Sequence, residues 1–229
     1  MNILAVDSAS FILSVAVSNG DEIFSEEAKE GMKQSELSMN LIDSMVKKAG
    51  LKPKDLNGVI CSGGPGSFTG LRIGYSIAKG LALSLSIPFA SIPTLDCIQK
   101  SFALRTEGFQ HKGTKEIILP VIEARKNTYF FSIYKNNQEL IKEKEGDCNQ
   151  IADEIKKLKE KIIITGFSSH SLYYSLPENI KTNTVLNEEK ICYARELIKI
   201  AKEENIFNND CSAYLVSGPE YIRLPDAMM

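Results

Sequence analysis

The residues best placed to do chemistry are in CSGGPGSFTGLRIGYSIAKG, residues 61–80, where Gly63, Gly64, Pro65 and Gly66 run into a helical pattern at Ser67. A glycine-rich turn feeding a helix N-terminus can offer unpaired N–H groups and the positive end of the helix dipole to an anion. Phosphate binding is therefore the first chemistry to test. A P-loop ends in Gly-Lys-Ser/Thr so that a lysine reaches the outer phosphates, but Gly66-Ser67-Phe68-Thr69-Gly70 has no lysine before Lys79. A dinucleotide fingerprint needs G-x-G-x-x-G and an acid about 20 residues on. Here Gly64, Gly66 and Gly70 are spaced one residue too long, and no acid stands between Leu71 and Leu95. What remains is an anion-friendly turn in which Ser67 and Thr69 can cap the helix, and two uses stay open, phosphate binding and a purely structural turn.

Hydrolytic and metal chemistry is poorly supplied. His111 and His170 are the only histidines, far apart and both expected in loops, with neither H-x-x-x-H nor H-E-x-x-H to grip a metal from one helix face. Ser67 or Cys61 as a nucleophile would need a histidine base that the sequence does not place nearby. Cys61 reads more simply as a small apolar residue ending a buried strand. Asp7 and Ser8, after the apolar run ILAV, form either a ligand-facing pair or a strand end whose carboxylate caps its own turn.

The chain must bury enough surface to position these residues. It has 229 residues, 43% of them hydrophobic, enough for one large or two small domains. With 27 basic against 29 acidic residues the net charge is −2, which excludes a global basic footprint for nucleic acid. The five cysteines are odd in number, scattered and never in C-x-x-C, which fits a reducing cytosol and neither a disulfide framework nor a zinc knuckle. No leader-like N-terminus and no run of 18 apolar residues is present, so a cytoplasmic chain with no membrane span is expected.

Residues 2–7, 12–18 and 22–27 read as a strand meander with a turn at Asn19-Gly20-Asp21. A helix at 35–49, a strand at 58–62, a helix at about 70–85, a strand at 88–92 and a helix opened by Thr94 follow. After the polar stretch 105–115 the pattern begins again, with strands at 117–124, 127–134 and 138–143, a helix at 149–159, and strands at 162–166 and 180–186. A helix at 189–204 completes it. The duplicated βββαβαβα order predicts two similar α/β domains, 1–104 and 105–229, the second degenerate and its tail able to pack back on the first. This order resembles the actin, sugar-kinase and Hsp70 (ASKHA) superfamily, which clamps nucleotide between two such domains and carries an acid at the place that Asp7 occupies.

A more specific resemblance covers almost the whole chain. ILAVDSAS, GGPGSFTGLRIG at 63–74, IPTLD at 92–96, PVIEARKNTYFFSIY at 120–134 and PEYIR at 219–223 together resemble the bacterial tRNA threonylcarbamoyladenosine biosynthesis family TsaB, also called YeaZ. Two positions depart from its pattern. Gln34 replaces the histidine of the family's His-Ser-Glu, and Glu123 replaces the aspartate of its Asp-Ala-Arg. The resemblance implies a subunit without catalysis of its own that pairs with the catalytic paralogue TsaD. With the ATPase TsaE, the pair transfers threonylcarbamoyl to the adenosine beside the anticodon of ANN-reading tRNAs. It further implies a homodimer when alone, tRNA contact only through the complex, and no required cofactor. A vestigial site of Asp7, Ser8, Gly63, Gly64, Gly66 and Ser67 is left for weak ATP or ADP binding. The alternatives are an ASKHA-type phosphotransferase, for which the second copy offers only Thr165-Gly166-Phe167-Ser168 as a phosphate loop, and a glycoprotease-like peptidase, which lacks its histidines.

Helical periodicity supplies a partner surface without the family. At about 100° per residue, the apolar arc of the helix after the glycine turn spans roughly 180° and that of the 35–49 helix roughly 200°, against the roughly 100° that one sheet covers. A stripe of Gly74, Ala78 and Ala82, with Leu37, Leu41 and Met45 from the first helix, is therefore expected to meet a partner, unless the second domain or the tail covers it. Arg72, on the narrow polar wedge with Lys79, is either solvated surface or the rim of that contact.

Overall fold

The computed structural model describes residues 1–28, 34–106, 117–188 and 192–222. His111 lies outside the described residues, as do Arg223 and the side chain of Gln34. Two compact units form: Met1–Cys97 together with Ile191–Met229, and Ile98–Lys190.

The first unit is built on β1 (Ile3–Asp7), β2 (Leu13–Asn19), β3 (Glu22–Ala28), α1 (Gln34–Lys48), β4 (Gly58–Ser62), α2 (Phe68–Leu85) and β5 (Phe89–Ile92), followed by the start of α3 (Thr94–Thr106). The sheet order is β3-β2-β1-β4-β5, with β1 parallel to β4, β4 parallel to β5, and the meander antiparallel. β1 and β4 are buried at every residue, so they read as apolar runs broken only at their polar last residues, Asp7 and Ser62. The edge strand β3 carries exposed Glu22, Glu26 and Glu27, charges that keep its free edge from pairing with another chain.

The second unit holds β6 (Ile117–Arg125), β7 (Thr128–Lys135), β8 (Gln138–Asp147), α4 (Cys148–Lys156), β9 (Ile162–Thr165), α5 (Ser169–Ser175), α6 (Glu178–Lys181) and β10 (Thr184–Leu186). Its order, β10-β9-β6-β7-β8, repeats that of the first sheet strand for strand. The hairpin from β7 to β8 turns on Asn136 and Asn137, both at positive φ, the pair of left-handed residues that a tight two-residue turn requires. Where the first unit has the 18-residue α2, the second has only α5 and α6, of 7 and 4 residues. The copy is degenerate at that place.

Sequence reading and structure part at the C-terminal end. The helix expected at 189–204 as part of the second copy is α7 (Tyr193–Glu203), and it packs on β1, β2 and β4 of the first unit. Its Ala194 N–H donates to Ser14 Oγ at 3.1 Å. The first sheet is thus covered on both faces. α1 and α2 lie on the side of Leu4, Val6, Val15 and Val59, and α7 takes the other. Among the described residues the last helix is α8 (Ser212–Val216), beside β5. The units therefore divide at 97/98 and 190/191, not at 104/105.

Candidate functional site

The glycine turn joins β4 to α2 and lies beside the end of β1. Asp7, buried at the end of β1, accepts hydrogen bonds from Ala9 N–H at 3.2 Å and from the Ser62 hydroxyl. Burial pushes its carboxyl up to about 6, opposed by the Ser62 and Ala9 hydrogen bonds and reinforced by the charge of Glu27. Ser8 Oγ donates to the Gly70 carbonyl at 2.8 Å. Asp7 and Ser8 thus tie β1 to both ends of the turn.

The turn spends most of its donors internally. Gly63 N–H donates to the Ile92 carbonyl at 2.7 Å, and Ser67 N–H to the Ala9 carbonyl at 2.7 Å. Gly64 N–H donates to Thr94 Oγ1 at 3.2 Å, and Gly70 N–H to Ser67 Oγ at 3.2 Å, which makes Ser67 the N-cap of α2. Pro65 has no N–H. The glycines serve close approach. A Cβ on Gly64, at φ +104°, would collide with the Glu220 carbonyl, one on Gly66 with the Ala9 carbonyl, and one on Gly74 with Ser8 Oγ. Of the two uses left open by the sequence, this geometry favours a structural turn.

Hydrolytic chemistry finds no better support. Burial pushes the Cys61 thiol far up, the reverse of an activated nucleophile. His170 lies on α5 rather than in a loop, exposed, 3.4 Å from Glu188 and against Tyr174. Among the described residues no group of three His, Cys, Asp or Glu could hold a metal ion, and no helix is long and apolar enough to cross a membrane.

The expected partner stripe needs correction. Met45, Ala78 and Ala82 are 0%, 0% and 1% exposed and belong to the core between helices and sheet, while Gly74 is buried against Ser8. Gly74, Ala78 and Ala82 are small because α2 lies close on its own sheet. Leu37 and Leu41 are half-buried against the same core. The outward face of α2 is instead Ser76, Gly80, Leu83 and Ser84, with Leu83 65% exposed and nothing within 4 Å of a Cβ on Gly80. On α1, Met39 is 50% exposed. Spacing alone could have suggested Ser76, Gly80 and Ser84, which stand four apart as the buried stripe does.

Arg72 and Lys79 are engaged by the chain's own tail. The Arg72 guanidinium lies 3.9 Å from the Phe68 ring centroid, with Nε donating to Tyr221 Oη at 3.4 Å. Lys79 Nζ donates to the Leu215 carbonyl at 2.9 Å and to that of Ser217.

Two five-stranded sheets of identical order, each with its meander followed by helix-linked parallel strands, define a two-unit protein of the actin, sugar-kinase and Hsp70 type. The N–H groups of Gly63, Gly64, Ser67 and Gly70 in its glycine turn are given to the protein's own acceptors. The family model described as "TsaD: tRNA N6-adenosine threonylcarbamoyltransferase" matches residues 29–228. The tRNA threonylcarbamoyladenosine biosynthesis protein TsaB of Bacillus subtilis is 30% identical over 184 residues, 79% of this chain and 76% of its own. The chain belongs to the TsaB family, inside that wider group. Its fold matches a crystal structure from Pseudomonas aeruginosa described as having similarity to peptidase YEAZ, with TM-score 0.75 and 19% identity over 97% of this chain and 99% of that one. YeaZ from Pseudomonas aeruginosa aligns with TM-score 0.65 and 17% identity over 90% and 93%.

Proposed function

We propose that this chain is a non-catalytic subunit in tRNA threonylcarbamoyladenosine biosynthesis that binds the catalytic paralogue TsaD and activates it for threonylcarbamoyl transfer. The family name supports the pathway. The observation that carries the subunit role is the outward face of α2. Leu83 stands in solvent beside the small residues Ser76, Gly80 and Ser84, which let a partner helix approach closely, and Met39 of α1 adds a second exposed apolar residue. A stable contact buries on the order of 1,600 Å², within reach of two helices from each subunit packed as a bundle. Leu37 and Leu41, half-buried on the flank of α1, would form its margin. The same face can pair two copies of the chain when TsaD is absent.

The chemical side of the reading rests on what the glycine turn has already committed. Gly63, Gly64, Ser67 and Gly70 give their N–H groups to the protein itself, which supports a subunit that positions rather than one that transfers phosphate. Omission of each component in turn from a tRNA-modification assay containing TsaD, TsaE, ATP and the threonylcarbamoyl donor tests it. Modification should require this chain, and this chain alone should modify nothing. Modification by this chain without TsaD overturns the proposal.

A further inference from the structure

The C-terminal segment 212–222 is held on the first unit at four separate places. Tyr214 packs against the core between the sheet and its helices. Lys79 Nζ donates to the Leu215 and Ser217 carbonyls at the end of α8, where a cation is best placed to satisfy the last unpaired carbonyls of a helix. Glu220 N–H donates to the Gly63 carbonyl at 2.8 Å. The Tyr221 ring lies tilted against Phe68 with centroids 4.9 Å apart, and Arg72 lies over the Phe68 ring. Two of these contacts fall on the glycine turn and its first helical residue. The other cation, Lys79, sits two turns further along α2.

We infer that residues 212–222 are a latch that docks on α2 and the glycine turn, and that its docked state and the pairing of α2 with a partner stabilise each other. Gly64 is the structural trace of this arrangement. Its missing side chain is what admits the Glu220 carbonyl, so the turn is shaped to receive the tail. Lys79 and Arg72 stand beside Leu83 and Ser76 around the helix, so the latch borders the outward face without covering it. A segment that fixes the position and rotation of α2 favours whichever geometry a partner reads, and by linkage the partner must favour the docked latch by the same factor. The linkage rests on the proposed pairing through α2. The latch itself does not.

Hydrogen exchange of the full-length protein separates the two. The Glu220 amide should be protected in the lone chain. Tyr221→Ala should speed its exchange about tenfold, as should Lys79→Met, which removes the donor together with the ammonium that lies over the Tyr75 and Phe89 rings; this is the scale of one net hydrogen bond or ring contact. The amides of β1 and β4 should not change. An unprotected Glu220 amide, or one that neither substitution affects, overturns the latch. With saturating TsaD homologue, exchange at Glu220 should slow further in the wild type, and Tyr221→Ala should weaken pairing several-fold. A latch that is intact in the lone chain but unchanged on pairing refutes the linkage, provided that pairing is lost in Gly80→Glu. If Gly80→Glu pairs normally, the α2 reading is what has failed.

Discussion

Glutamate placed at two positions half a helical turn apart on α2 should have opposite effects. Ala78 is fully buried against the sheet. A glutamate there overpacks the core, at about 1–3 kcal/mol. Its carboxyl must also be held neutral at pH 7, against an ordinary value near 4.3, at about 4 kcal/mol. The total, on the order of 5–7 kcal/mol, is comparable to the whole stability of a small domain, about 5–15 kcal/mol. Gly80 has nothing within 4 Å of its missing Cβ. Replacing a glycine in the middle of a helix by a better helix former gains roughly 0.5 kcal/mol, so Gly80→Glu should raise the melting temperature by about 1–2 °C. At a helix–helix contact the same carboxylate would be desolvated without a partner, and pairing should weaken by about 100-fold or more. Melting temperature and sedimentation, with and without a TsaD homologue, report both. An Ala78→Glu variant as stable as the wild type would return that residue to the surface. A Gly80→Glu variant that pairs at wild-type affinity would remove α2 from the interface.

Asp7→Asn should stabilise the protein at pH 7.5 and flatten its pH profile. The carboxyl is raised from near 3.8 to about 6 by burial, so the stability that it contributes is full below about pH 4 and is lost as pH rises through 6. The whole difference corresponds to about 3 kcal/mol, reduced where the new amide N–H₂ finds no acceptor. Denaturant melts from pH 4 to 8 check it, and equal pH slopes for both proteins would refute it. Gly74→Ala should cost about 1–3 kcal/mol, because its Cβ collides with a Ser8 hydroxyl already bound to the Gly70 carbonyl. Unchanged thermal stability would mean that β1 and α2 do not approach as described. Labelled ATP should bind the lone chain weakly at most and release no phosphate, since the turn's N–H groups at Gly63, Gly64, Ser67 and Gly70 are taken. Steady turnover of ATP without TsaD or TsaE would contradict the closed turn.

Much of the fold was readable because burial writes itself into β-strands. β1, β4 and β9 are buried throughout and apolar but for their ends, and the first hairpin turn announces itself as Asn19-Gly20-Asp21. α5 and α6 went unread because helices of 7 and 4 residues are too short to show a period. α7 was read as a helix but assigned to the wrong sheet, because chain order does not say which of two equivalent sheets a terminal helix covers. The stripe expected to meet a partner falls in the core for a related reason. A wide apolar arc reads as surplus over what one sheet needs, but α2 packs on the sheet and on α1, and Tyr214 of the tail joins the same core, so the arc is absorbed. Periodicity gives the width of an apolar face, and only packing says which part turns outward. At the glycine turn the sequence marks Gly63, Gly64, Gly66 and Ser67, yet the use of the N–H groups there depends on Ile92, Thr94 and Ala9, which no local spacing connects to them.

The most direct measurement is the rate of threonylcarbamoyl transfer to tRNA at fixed TsaD and TsaE while this chain is titrated. The account predicts no transfer without the chain, a rise that saturates when the chain equals TsaD, and no rise with Gly80→Glu. A rate that keeps growing in proportion to the chain beyond that equivalence, or transfer in the absence of TsaD, would contradict a subunit that acts by pairing alone.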